Sequence, residues 1–156
     1  ALPVSKILED TYHLEGRQGL VVCRSFNRYQ EFILLLDALA LVVNRYPKVI
    51  LLFVGDGDQR VALERHAERN GLADHVIFAG KKQGEDLYAC YNVGQIFVLP
   101  SYYERFGAVV NEALLAGCYT LCSVVAGAAC LIEPQKMVIY LIRHLKHILR
   151  RNWRKV

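Results

Sequence analysis

VILLFVGDG, residues 49–57, sets six apolar residues in a row and then breaks them with Gly55-Asp56-Gly57. A run this short and this rich in branched side chains reads as a strand buried on both faces, since a half-exposed strand would alternate apolar with polar. The same signature recurs at GLVVC (19–23), HVIFA (75–79), QIFVL (95–99) and YTLCSVV (119–125). Helical spacing fills the intervals. Phe32, Leu35, Leu36, Leu39 and Val43 repeat at three and four residues, and Pro47 comes next as a stop. A polar helix runs from beyond Gly57 to about Asn70 with Gly71 after it, a short helix covers 84–91, and another covers 107–116 before Gly117. Apolar strands alternating with helices predict an α/β fold, a Rossmann-like doubly wound parallel sheet covered on both faces. Residues 1–18 show no periodicity and read as a linker or inbound added strand; residues 19–156 read as one domain.

Composition agrees with a single folded unit. A chain of 156 residues suits one domain, and 54% hydrophobic against 22% charged residues excludes intrinsic disorder. The longest apolar stretch, 32–43, is interrupted by Asp37 and falls short of a membrane span. The first residues, ALPVSKILED, lack the basic start and apolar core of a signal peptide. Cys23, Cys90, Cys118, Cys122 and Cys130 form no C-x-x-C pair, so they read as buried, reduced thiols of a cytoplasmic protein rather than a disulfide framework or zinc site. A net charge of +4 is too small to argue for nucleic acid.

Open α/β sheets bind ligands at the carboxyl ends of their strands. That directs attention to 24–28, 55–58, 80–82 and 101–106, and so to Gly55 and to Lys81, which also reads with Lys82 as a solvated loop pair. The most informative segment is PSYYERFGAVVNEALLAGC, 100–118. Glu104 falls in the loop after the fourth strand, and Glu112 falls a turn or more into the next helix. A carboxylate can accept two hydrogen bonds from a vicinal diol such as a ribose. The free N–H groups near Gly107 and Ala108 can bind a phosphate, and Gly107 has no side chain to block it. On spacing alone the segment is equally a helix whose first turn favours negative charge, with Glu112 solvated.

This segment resembles the E-x7-E motif of retaining glycosyltransferases of the GT-B fold, in particular the family 4 group (glycosyl transferases group 1). The family pattern P-S-x-x-E-x-F-G-x4-E-A-x3-G is met at Pro100, Ser101, Glu104, Phe106, Gly107, Glu112, Ala113 and Gly117. VGDG (54–57), VIFAG (76–80), Tyr88 or Tyr91, and QIFVLPS fit the same family, and the likeness covers about 19–133. It implies one lobe of a GT-B enzyme, the C-terminal, donor-binding lobe, inactive without an N-terminal lobe. It implies a nucleotide-sugar donor, a glycan or lipid-linked acceptor, a role in cell-surface polysaccharide synthesis, and neither metal nor other cofactor. By the likeness Glu112 binds the ribose, Glu104 contacts the donor sugar as the catalytic residue, and backbone around Phe106, Gly107 and Ala108 meets the diphosphate or sugar. Arg24 matches the family's diphosphate-binding Arg.

The chain also departs from the pattern. The family's Lys-Gly before the first helix reads Tyr29-Gln30-Glu31 here, which leaves Arg28 as the candidate for the second cation, or as a solvated loop residue. Cys23 stands where the family often has Gly. Pro134 and a helix (135–153) stand where relatives continue through a Gly-rich loop and a further strand. That helix has an apolar stripe and a basic remainder. It reads either as a core-packed helix with a solvated face or as peripheral contact with an anionic inner-membrane surface through residues 136–155. Two rivals remain open, a sugar-nucleotide epimerase or phosphorylase on the same lobe and a non-catalytic nucleotide-binding or interaction module.

Overall fold

All five apolar runs become strands in the computed structural model, which describes residues 3–23, 29–100 and 108–122. The strands are β1 (Gln18–Cys23), β2 (Val49–Val54), β3 (Val76–Gly80), β4 (Ile96–Leu99) and β5 (Tyr119–Cys122). The helices are α1 (Val4–Thr11), α2 (Tyr29–Val43), α3 (Arg60–Arg69), α4 (Gly84–Gly94) and α5 (Ala108–Leu115). The expected continuation of β5 to residue 125 and the basic helix at 135–153 lie outside the described residues. Every strand pair is parallel, in the order β3-β2-β1-β4-β5. The fold is the expected Rossmann-like α/β arrangement.

Strand pleating divides the core in two. Leu20 and Val22 of β1, with Val49, Leu51 and Phe53 of β2, face α2 and α3. Val21, Ile50, Leu52 and Val54 face the other way, onto α4 and α1. Successive side chains on a strand point to opposite faces, so a run without polar residues feeds both layers. All six residues of β2 are buried. Burying one such side chain contributes roughly 1.5–3 kcal/mol. On the first face, α2 and α3 are tied by Nε2 of His66, 2.7 Å from Oδ1 of Asp37. On the second, α4 closes on β1 where both chains lack a side chain. A Cβ on Gly19 would overlap the Val93 carbonyl oxygen, and one on Gly94 would overlap Val21.

The amino-terminal segment differs from the linker or added strand expected at 1–18. Residues 4–11 form α1, and Val4, Leu8 and Tyr12 make a stripe at intervals of four that packs into the second core. Lys6 points outward, 3.2 Å from Asp10. Eight residues hold only two turns, too few repeats for the period to stand out from the sequence, and packing against α4 supplies what propensity does not. No helix among the described residues is long and apolar enough to cross a membrane.

Candidate functional site

A cavity of about 370 Å³ opens at the carboxyl ends of the strands. Cys23 from the end of β1, Val54 from the end of β2 with Gly55 and Asp56 just beyond it, Lys81 and Lys82 from beyond β3, and Val109 from the first turn of α5 line it. β1 lies between β2 and β4, and the chain winds outward from it in both directions. The cavity therefore sits where strand order reverses, the place at which open α/β sheets leave a crevice between diverging loops.

Local irregularity shapes its rim. Phe53 pairs with Phe78, but Val54 pairs with Gly80, so Ala79 is an extra residue in β3. A bulge of this kind bends the strand and re-aims the residues beyond it, here Lys81 and Lys82. The Gly55 N–H donates to the Gly80 carbonyl at 2.9 Å and restores the pairing past the bulge. Asp56 is engaged by its own turn. Its Oδ1 accepts from the Gly57 N–H at 2.9 Å, and its Oδ2 lies 3.5 Å from Nη1 of Arg60. Arg60 also binds Glu64 at 2.8 Å and lies over the Phe78 ring, 6.0 Å from its centroid. Asp56-Gly57-Asp58 is a D-x-D triplet, but its first carboxylate is held by the turn and by Arg60, and no group of three or more potential metal ligands occurs among the described residues.

Beside the cavity lies a partly buried polar pair. Tyr91, on α4, is fully buried, and its hydroxyl donates to Oε2 of Glu112 at 3.1 Å. The Cys23 thiol is within hydrogen-bonding reach of the same hydroxyl. Burial pushes the Tyr91 hydroxyl well above the ordinary phenol range, and the neighbouring Cys23 and Glu112 push it further. Burial also raises the Cys23 thiol, Tyr91 draws it back down, and the Glu112 charge raises it again. Tyr91 thus keeps its proton and is the donor, while Glu112 is the acceptor. Val109 and Glu112 are three residues apart on α5, so the helix that lines the cavity through Val109 also carries the carboxylate. α5 thus carries a carboxylate able to accept from hydroxyl groups, and the cavity rim beyond β3 carries two lysines able to face an anion.

The structure brings Gly55, Lys81 and Glu112 of the expected site to one end of the sheet. Ala108 opens α5 at its backbone, and its side chain is not among those described. Arg24, Arg28, Glu104, Phe106 and Gly107 lie outside the described residues. Sequence reasoning singled out neither the Tyr91–Glu112 bond nor Cys23 as a wall of the cavity. A tyrosine inside an otherwise apolar helical stripe was the available signal, because a buried phenol requires a hydrogen-bond partner.

Known proteins resemble this chain in sequence and in fold. An uncharacterised glycosyltransferase of Methanocaldococcus jannaschii is 34% identical over 100 residues, 60% of this chain and 26% of that protein. A phosphatidyl-myo-inositol mannosyltransferase of Mycobacterium tuberculosis is 33% identical over 109 residues, 69% of this chain and 28% of its own length. The chain thus spans about a quarter of the curated relatives it matches. Among solved structures, Anabaena HepE in complex with UDP and glucose superposes with a TM-score of 0.77 at 22% identity, over 97% of this chain and 44% of that one. The model of the family described as glycosyl transferases group 1 matches residues 6–142, a span that takes in all five strands, Lys81, Lys82 and Glu112. On that match the chain belongs to the glycosyl transferases group 1 family.

Proposed function

We propose that this chain is the donor-binding lobe, C-terminal in the whole protein, of a retaining glycosyltransferase of the family 4 type. The whole protein moves a sugar from a nucleotide-sugar to a glycan or lipid-linked acceptor in cell-surface polysaccharide synthesis, and this lobe alone turns over little or nothing. The observation that carries the reading is the cavity at the strand-order reversal, with Lys81 and Lys82 on one wall and Glu112 on the helix that forms another. The HepE complex with UDP and glucose supports a nucleotide-sugar donor, and this chain's coverage of 44% of HepE supports one lobe of two. The mycobacterial relative's name supports a lipid-linked acceptor.

In this assignment Glu112 accepts from the ribose hydroxyls and Glu104 contacts the donor sugar. Arg24, Arg28 and backbone groups from Phe106 to Ala108 face the diphosphate, with Gly55 and Lys81 at the edge of the donor site. When the sugar C1–O bond breaks, its electron pair goes to the diphosphate. Fixed cations and helix N–H groups stabilise that charge where it develops, with no reorganisation at the moment of reaction. No metal is assigned a part.

Calorimetric titration of the chain with UDP, GDP and ADP, with and without EDTA, tests the proposal. One nucleotide is expected to bind, indifferent to EDTA, and to weaken by about 1–3 kcal/mol in Glu112→Ala, the loss of hydrogen bonds to a charged group. No binding of any of the three at millimolar concentration would overturn it.

A further inference from the structure

We propose that Tyr91 is a positioning residue for the donor site, its hydroxyl holding the Glu112 carboxylate in the orientation that reads the nucleotide's ribose. The inference rests on the nucleotide reading of Glu112 and adds a residue to it from a different helix.

The geometry of Tyr91 carries the argument. It is fully buried, so its hydroxyl has no water to bond and must find partners within the protein. It finds Glu112 Oε2 at 3.1 Å. The ring has little freedom to turn away. It packs edge-on against Phe97 of β4, with centroids 5.7 Å apart, and edge-on against Tyr88 at 6.5 Å. Its own carbonyl accepts from the Cys118 thiol at 3.0 Å, which ties α4 to the chain leaving α5. The hydroxyl is thus a fixed point offered to α5 by α4 and β4.

A glutamate without such a contact samples several rotamers, and each must be given up when a ligand binds. A carboxylate has two oxygens and about four lone-pair sites. Tyr91 takes one site on Oε2 and leaves others to accept from a diol.

Tyr91→Phe removes only the hydroxyl and keeps the ring packing. The chain is titrated with UDP, GDP and ADP, and with the 2′,3′-dideoxy form of whichever binds. Wild-type protein is expected to prefer the ribonucleotide. Tyr91→Phe is expected to weaken the ribonucleotide by roughly fivefold, the scale of one net hydrogen bond, and to leave the dideoxynucleotide unchanged. In a Glu112→Ala background Tyr91→Phe should have no further effect. Equal weakening of both nucleotides would mean a structural role alone and would overturn the inference, as would no effect on either. Should Tyr91→Phe fail to fold, Glu112→Asp provides the second variant. It keeps the charge and withdraws it by one methylene from the hydroxyl, and full retention of the ribose preference there would also overturn the inference. A wild-type protein that binds no nucleotide, or binds without ribose preference, refutes the nucleotide reading itself. A normal Glu112→Ala response with an inert Tyr91→Phe refutes only the positioning role.

Discussion

Gly94, the last residue of α4, rests directly on Val21 in the middle of β1, with no side chain between helix and strand. The Cβ of an alanine at 94 would overlap both Cβ and Cγ1 of Val21, and Val21 itself is fully buried and cannot swing aside. Gly94→Ala is therefore expected to destabilise the fold by about 1–3 kcal/mol through overpacking. Urea denaturation would show this as a lower midpoint at an unchanged slope. An unchanged midpoint would mean that the close approach is not needed.

Gly71 offers the opposite test. It ends α3 with φ of +70°, its N–H donates to Glu68 and that of Leu72 to Ala67, and a Cβ there would meet nothing within 4 Å. The paired bonds are those of a Schellman stop. Gly71→Ala should destabilise by about 1–2 kcal/mol through the left-handed backbone alone, and Gly71→Asn by less. If alanine and asparagine behave alike, the strain argument fails.

Burial pushes the thiols of Cys90 and Cys118 up to about 11, against an ordinary 9.0. Between those values the folded chain keeps protons that the unfolded chain has released, so stability falls as pH rises. The contribution is fully present below pH 9 and is lost through pH 11, on the order of 2 kcal/mol per thiol. Urea midpoints measured from pH 8 to 11 should decline, and Cys118→Ala should flatten the decline. The same slope in that variant would rule the thiol out as the cause.

Lys81 stands exposed on the cavity rim, beyond the β3 bulge. If it faces a diphosphate, Lys81→Ala should weaken UDP, or whichever nucleotide binds, by about two- to fivefold, the scale of an exposed ion pair. The difference should shrink in 0.5 M salt, because exposed charges are screened. Titration at two ionic strengths decides it. Equal affinities at low salt would make Lys81 a solvated loop residue.

How much could be read in advance depended on range. VILLFV, GLVVC and QIFVL are apolar throughout, and only a two-sided core can bury such runs, so composition and period alone implied parallel strands and two helix layers. The helix of 108–115 and its stop at Gly117 were equally local. α1 was not legible, because its stripe of Val4, Leu8 and Tyr12 gains meaning only against α4. Glu112 was named from a motif, whereas its partner Tyr91 was not singled out as one.

Sequence by itself determined the strands, most helix boundaries and the family pattern at 100–117. These depend on neighbours a few residues apart, where periodicity and backbone preference act. Tertiary structure alone decided that Tyr91 reaches Glu112 across 21 residues, that Cys23 and Val109 share a wall, and that Ala79 bulges beneath the lysines. Each of these contacts needs helices and strands already docked on one another, and packing that joins distant residues leaves no period in the chain.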